Sequence, residues 1–96
     1  MTTIPLTKPV VWHGETLTEI RLKEPSGIDF INLGEPRTAV FNGETGNGYY
    51  VEQPLIIKAY LEKCIEHEGG AMLLAQMNLA DAQKLKGAFL DFFRAA

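Results

Sequence analysis

Apolar and polar positions alternate along two neighbouring segments near the N-terminus, which is typical of strands with one buried face. The segments cover residues 4–11 and 15–23, with Trp12, His13 and Gly14 between them. A three-residue loop with Gly14 in the left-handed conformation places the apolar residues of both strands on one face. A two-residue turn would leave apolar and polar residues on both faces. The pattern therefore predicts an α+β fold that begins with a hairpin. Its expected inner-face residues are Ile4, Leu6, Val10, Ile20 and Leu22, with Val10 facing Thr16, Leu6 facing Ile20 and Ile4 facing Leu22.

Two prolines mark the first of these strands. Pro5 and Pro9 have no N–H group to donate to a ladder, so the strand is expected at the edge of its sheet. Lys8 is the one misfit, since this register places it on the apolar face.

Cap and turn signals divide the middle of the chain. Ser26 can cap a helix that has Asp29 three residues further on, which predicts a short helix ending at Asn32 or Leu33, before Gly34. Residues 35–53 are rich in glycine around the apolar pieces TAVF and YYV. This composition leaves two alternatives open, a second irregular hairpin or an ordered loop.

Two amphipathic helices are predicted in the second half. The first begins at Pro54 and runs to the stop at Gly69 and Gly70, and the second follows a cap at Asn78 and covers residues 79–93. The apolar face of the first consists of Ile56, Ile57, Tyr60, Leu61, Cys64 and Ile65. The stripe of the second consists of Leu79, Ala82, Leu85, Phe89, Phe92 and Phe93. We expect one domain over residues 1–96, with the hairpin packed against these two helices.

Composition and charge narrow the class of protein. The chain has 96 residues, of which 46% are hydrophobic and 22% charged, as in a globular domain rather than a disordered tail or a membrane protein. A net charge of -3 without a basic cluster disfavours nucleic acid as a partner. Cys64 is the single cysteine, which excludes an internal disulfide. The N-terminus lacks a signal sequence, so a cytoplasmic location is expected.

Candidate chemistry is sparse. Cys64 and His67 are spaced for one face of a helix, but two ligands fall short of the four that a structural zinc needs. Glu66 and Glu68 point in different directions on a helix. The stretch NGETGNG has the glycines of a phosphate-binding loop without its lysine and hydroxyl residue. No catalytic, cofactor-binding or metal-binding residue is predicted.

The order of short motifs along most of the chain is more distinctive. A proline precedes a Gly-Glu turn and a Leu-Lys-Glu-Pro exit, and a Leu, Asp, aromatic pattern ends the chain. The positions are Pro9, Gly14, Glu15, Leu22, Lys23, Glu24, Pro25, Leu79, Asp81, Phe92 and Phe93. This order resembles the phage tail assembly chaperones of the Mu-like group. The glycine-rich residues 42–48 depart from it, since a more helical middle is expected there.

The resemblance implies a non-enzymatic protein without a cofactor. It would bind the tape measure protein and keep it soluble in the host bacterial cytoplasm while tail tube subunits assemble, then leave before the virion matures. The tail tube protein and a second copy of the chain are further candidate partners. The alternative function is a small phage or bacterial adaptor or regulator that binds a single protein partner.

Apolar residues on the two helices exceed what one thin hairpin covers. We therefore expect some of them to form a partner-binding groove for an amphipathic helix or a second copy. Burial in the monomer core is the competing interpretation of the same stripe. The candidate partner-binding residues are Tyr60, Leu61, Phe89, Phe92 and Phe93.

Overall fold

The computed structural model describes residues 2–41, 43–44 and 46–94, so Asn42 and Thr45 of the glycine-rich stretch lie outside the described residues. Eight elements follow in chain order. They are β1 (Thr2–Trp12), β2 (Glu15–Leu22), α1 (Gly27–Leu33), β3 (Arg37–Phe41), β4 (Gly48–Glu52), α2 (Pro54–Cys64), α3 (Ala71–Leu74) and α4 (Leu79–Arg94). The predicted α+β class is confirmed.

The first hairpin, β1–β2, turns through two residues rather than three. His13 and Gly14 both have positive φ, 48° and 79°, and Trp12 pairs directly with Glu15. Such a turn follows the right-handed twist of the flanking strands. The left-handed conformation of Gly14 was predicted correctly, and the three-residue loop was wrong.

A bulge in β1 reconciles the short turn with a single apolar face. Pro5 pairs with Glu19 and Val10 pairs with Leu17, so residues 6–9 of β1 stand opposite Thr18 alone. The register changes within this bulge. The predicted pairs Val10–Thr16, Leu6–Ile20 and Ile4–Leu22 are wrong. The predicted inner face is nevertheless buried at Ile4, Val10, Ile20 and Leu22, with Leu6 partly buried.

Helix α2 ends earlier than its sequence predicts. Ile65, just after Cys64, is extended, at φ −69° and ψ 118°, and bridges to Leu22 at the end of β2. The N–H of Lys23 donates to the Cys64 carbonyl and the N–H of Glu66 donates to the Arg21 carbonyl, each at 2.9 Å. These hydrogen bonds to β2 replace those of a further helical turn. The predicted continuation to Gly69 was therefore wrong.

The short helix α1 forms as predicted. The Ser26 side chain accepts from the Asp29 N–H and the Asp29 side chain accepts from the Ser26 N–H, a reciprocal capping box. Gly34 ends the helix with φ 83°. Of the two alternatives for residues 35–53, the structure shows the hairpin, with β3 and β4 paired from Arg37–Glu52 to Phe41–Gly48.

One core joins the first hairpin to the helices. Helix α4 packs against β1, and α1 packs against α2. In α4 the structure buries Leu90, which the predicted stripe omitted, and exposes Leu79, which the stripe included. The buried apolar residues are Ile4, Val10, Ile20, Leu22, Ile57, Tyr60, Leu61, Cys64, Ile65, Leu73, Leu85, Phe89 and Leu90.

Candidate partner-binding site

The five predicted partner-binding residues fall into two groups. Tyr60, Leu61 and Phe89 are buried in the core, so they present little surface to a partner. Phe92 and Phe93 are only partly buried. The competing interpretation, burial in the core, is therefore correct for Tyr60, Leu61 and Phe89. The end of α4 keeps accessible aromatic surface.

An aromatic cluster holds that end of α4 in place. The Phe93 ring lies 5.5 Å from the Tyr60 ring and 5.4 Å from the Phe89 ring, both in edge-to-face geometry. Phe30 of α1 adds a fourth ring, 6.3 Å from Phe93. Such aromatic pairs stabilise a fold beyond the effect of burial alone. Phe93 therefore links the buried rings of Tyr60 and Phe89 to the partly exposed ring of Phe30.

Tyr60 fixes α1 relative to α2. Its hydroxyl donates a 2.6 Å hydrogen bond to the carbonyl of Gly34, the residue that ends α1. Burial raises the pKa of the Tyr60 hydroxyl, and the nearby carboxylates of Glu35 and Asp29 raise it further. The hydroxyl therefore remains a donor at neutral pH, and α1 is positioned beside the end of α4.

Between α1 and α4 lies a groove of about 270 Å³, which we call the aromatic groove. Its surface is mainly apolar, and Phe30 within it is 38% exposed. The lining residues are Glu24, Pro25, Ser26, Gly27, Phe30, Phe92 and Phe93. Phe92 and Phe93 on the α4 side of this groove are among the predicted partner-binding residues, whereas Phe30 on the α1 side was not predicted. Two apolar neighbours of Phe30, Ile28 and Ile31, were a usable signal, since a seven-residue helix cannot bury residues on every side.

A polar cluster at the opposite end of α4 fixes that helix to the bulge of β1. Asp81 is fully buried, and its carboxylate oxygens accept from the Thr7 N–H at 3.0 and 3.1 Å. They also accept from the Thr7 hydroxyl at 3.0 Å and the Lys8 N–H at 3.2 Å. We call Thr7, Lys8 and Asp81 the Asp81 clamp. The carboxylate thus satisfies the backbone donors that the bulge removes from the β1–β2 ladder.

Asn78, just before α4, and Lys84, within it, make further contacts with the Asp81 clamp. Asn78 caps the helix by accepting from the Asp81 N–H at 2.9 Å, and its side-chain amide donates to the Thr7 hydroxyl at 3.3 Å. Lys84 lies 3.4 Å from the Asp81 carboxylate and donates to the Pro5 carbonyl at 2.8 Å. The Asn78 cap was predicted from the sequence, in which Asp81 stood out only as a motif residue. The contact with β1 was not predicted, although Lys8 on an apolar face was a sign that the strand is not regular there.

The hydrogen bonds set the electrostatics of the clamp. The backbone N–H of Thr7 lowers the pKa of Asp81 most, and burial opposes this by raising it. Hydrogen bonds from Lys8, the Thr7 hydroxyl and Lys84 lower the pKa further, so the net shift is downward. Asp81 is therefore a charged structural group at neutral pH.

The residues considered for metal binding lie on different local structures. Cys64 ends α2, whereas His67 follows the extended segment and accepts from the Gly69 N–H at its Nδ1, at 2.9 Å. Burial raises the pKa of the Cys64 thiol to about 11, so it stays protonated at neutral pH. Residues 2–41, 43–44 and 46–94 contain no group of three or more His, Cys, Asp or Glu side chains arranged to hold a metal ion.

A second apolar groove, of about 330 Å³, lies between α2 and α4. Leu61 lines it beside Ile57, and Lys58 and Lys86 are polar members of the same lining. Lys86 is already paired with Glu52 at 2.9 Å. Since Ile57 and Leu61 are buried in the core, this groove is a weaker candidate for a partner than the aromatic groove, where Phe30 is 38% exposed.

Comparison with known proteins adds no assignment. No protein-family model, curated protein or solved structure matches the chain. Within the described part of the chain, every helix is too short or too polar to span a bilayer. The sequence motifs, the aromatic groove and the Asp81 clamp are therefore the features from which a function can be inferred.

Proposed function

We propose that this protein is a non-enzymatic tail assembly chaperone of the Mu-like type, which binds an apolar segment of the phage tape measure protein. The observation that carries the proposal is the aromatic groove, an open apolar surface built from Phe30, Phe92 and Phe93 on a fixed framework. An amphipathic helix binds such a groove through apolar anchors on one face, and no chemistry is required of the protein.

The residues behind the family resemblance support the proposal by their positions. Pro9 lies within the bulge, and the Asp81 carboxylate accepts a hydrogen bond from the Thr7 N–H there. Pro25, Phe92 and Phe93 line the aromatic groove. Four motif residues, Glu24 among them, thus line the groove where α4 ends. A fifth, Asp81, forms the clamp that sets the position of α4.

In this proposal the protein acts in the host bacterial cytoplasm and leaves the particle before the virion matures. It keeps the tape measure protein soluble until tail tube subunits surround it. Phe30 and Phe92 contact the client directly, while Phe93 also stabilises the core through Tyr60 and Phe89.

The test is co-expression with the tape measure protein encoded in the same tail gene cluster, scored by the soluble fraction of that client. Phe30→Ala should lower the soluble fraction, because it removes an exposed anchor of the groove. Leu55→Ala is the matched control, since Leu55 is 82% exposed on α2 and lies outside the groove lining. Thermal unfolding of both variants verifies that each still folds.

Two results would contradict the proposal. One is a client whose solubility does not change when this protein is present. The other is a gene that lies among early genes, away from the tail tube and tape measure genes, with the protein binding one folded partner. That combination is the behaviour of an adaptor or regulator.

A further inference from the structure

Four of the eleven exposed large apolar residues in the described part of the chain lie on the second hairpin, β3–β4. All five residues of β4 are exposed. Tyr49 is 61% exposed, Tyr50 66% and Phe41 of β3 76%. A two-stranded ribbon without covering layers is marginally stable in water, and additional strands are the usual remedy.

Side chains nevertheless pack against one another along the length of this ribbon. The Phe41 ring lies over Gly48 so closely that a Cβ atom there would come within 2.8 Å of the ring. The guanidinium of Arg37 lies 4.9 Å from the centre of the Tyr50 ring. At its base, Glu52 pairs with Lys86 of α4. The outer edge of β4 therefore has a defined position outside the core.

The hydrogen-bond pattern shows which groups face outward from this ribbon. The N–H of Gln53 donates to the Pro36 carbonyl at 2.9 Å, which makes this a hydrogen-bonded pair. Hydrogen-bonded and non-hydrogen-bonded pairs alternate in an antiparallel ladder, so backbone groups of Gly48, Tyr50 and Glu52 point away from β3. Among the described residues, no strand pairs with this outer edge of β4.

We propose that two copies of this chain associate through the outer edges of β4, antiparallel about a two-fold axis at Tyr50, to form a four-stranded sheet. In this register Tyr50 exchanges both backbone hydrogen bonds with Tyr50 of the second copy. Gly48 and Glu52 do the same with each other across the axis. All outward-facing groups of β4 are then paired.

The side chains favour a second copy over an unrelated strand. Centring on Tyr50 puts Tyr49 opposite Val51, an aromatic and β-branched pair at a non-hydrogen-bonded position, where side chains approach most closely. Glu52 meets Gly48 rather than another Glu52, so the register places no like charges opposite each other. The strand is therefore complementary to itself.

The outer edge of β3 is the competing surface, with its own two-fold centre at Ala39. There Arg37 would face Phe41, and the centre would carry a methyl group in place of an aromatic ring. The β4 edge accordingly offers the larger cross-strand contact.

Disulfide trapping distinguishes the two edges. Residues at the centre of a hydrogen-bonded pair have Cα atoms about 5.5 Å apart, which suits a disulfide. Tyr50→Cys should therefore give a covalent dimer under mild oxidation, whereas Ala39→Cys should remain monomeric at the same protein concentration. The unsubstituted protein is the control for Cys64, which is buried.

Sedimentation equilibrium of the unsubstituted protein tests the association without a cysteine. We expect a monomer–dimer equilibrium that Val51→Lys weakens by about tenfold or more, because lysine replaces the side chain facing Tyr49. Circular dichroism verifies that the variant folds. A monomer at every concentration measured would overturn the proposal, as would equal trapping of Ala39→Cys and Tyr50→Cys.

Discussion

The first hairpin buries Ile4, Val10, Ile20 and Leu22 beneath the helices, whereas the second exposes Phe41, Tyr49 and Tyr50 on a ribbon outside the core. Both are antiparallel two-stranded ribbons, and both contain apolar residues in strand patterns. They differ in what lies against them. Helix α4 packs on β1, and the Asp81 clamp and the Leu22–Ile65 bridge tie the first hairpin to both long helices.

Because of this difference, we expect the first hairpin to contribute mainly to folding stability and the second to partner binding. Buried apolar surface and satisfied backbone donors in the first hairpin contribute to the global free energy of unfolding. Exposed apolar surface in the second hairpin contributes little to that free energy until something covers it. We therefore expect equivalent substitutions in the two hairpin regions to give different results.

The largest expected effect comes from a pair of phenylalanines. Phe89→Ala removes a fully buried ring from the core next to the first hairpin and should lower the free energy of unfolding by about 3–5 kcal/mol. Phe41→Ala removes a ring that is mostly exposed and should cost less than about 1 kcal/mol. Urea denaturation of both variants measures the contrast. Similar losses would show that the second hairpin is part of the same core.

An intermediate effect is expected at the Asp81 clamp. Asp81→Asn places an amide where the Thr7 and Lys8 N–H groups need an acceptor, so it should destabilise the fold. Asp91→Asn is the matched control, because the Asp91–Arg94 pair lies on the same helix in exposed positions and contributes little.

The clamp also predicts a dependence on pH. Since the folded pKa of Asp81 lies below its ordinary value of 3.8, its carboxylate stabilises the fold above about pH 4. This contribution is lost as the pH falls through the lowered pKa. Denaturation midpoints measured from pH 7 downward should fall less steeply in Asp81→Asn than in the unsubstituted protein. If the midpoints of the two proteins fell in parallel with pH, the Asp81 clamp would not be the cause of the pH dependence.

The smallest effect concerns two turn glycines with positive φ, Gly14 at 79° and Gly46 at 73°. An added Cβ meets no atom within 4 Å at either position, so alanine costs only backbone strain. Gly14→Ala should lower the global free energy of unfolding by about 1 kcal/mol. Gly46→Ala should strain its own ribbon by a similar amount and leave global unfolding nearly unchanged, with faster amide hydrogen exchange confined to β3 and β4. A full loss of global stability from Gly46→Ala would contradict the separation.

Much of the local structure was predictable because its causes are local. The Ser26–Asp29 capping box, the start of α2 at Pro54 and the Asn78 cap each depend on residues within one helical turn. The α4 half of the aromatic groove was predicted for a similar reason, since Phe92 and Phe93 share a helical stripe. The α1 half was missed, because Phe30 meets Phe93 only once α1 is positioned by Tyr60.

The sequence by itself determined the element types of β1, β2, α1, α2 and α4, the buried faces of the first hairpin and the left-handed glycine at its turn. Period-two and helical patterns and glycine backbone freedom are properties of neighbouring residues. Tertiary structure decided the register of β1, the end of α2 at Cys64 and the exposure of the second hairpin. The register of β1 depends on Asp81, which lies 74 residues away and accepts from the Thr7 N–H. The end of α2 depends on β2, because hydrogen bonds between the two segments replace those that a longer helix would have made. Hydrogen-bond partners so distant in sequence are available only after the chain has folded, so no local pattern encodes them.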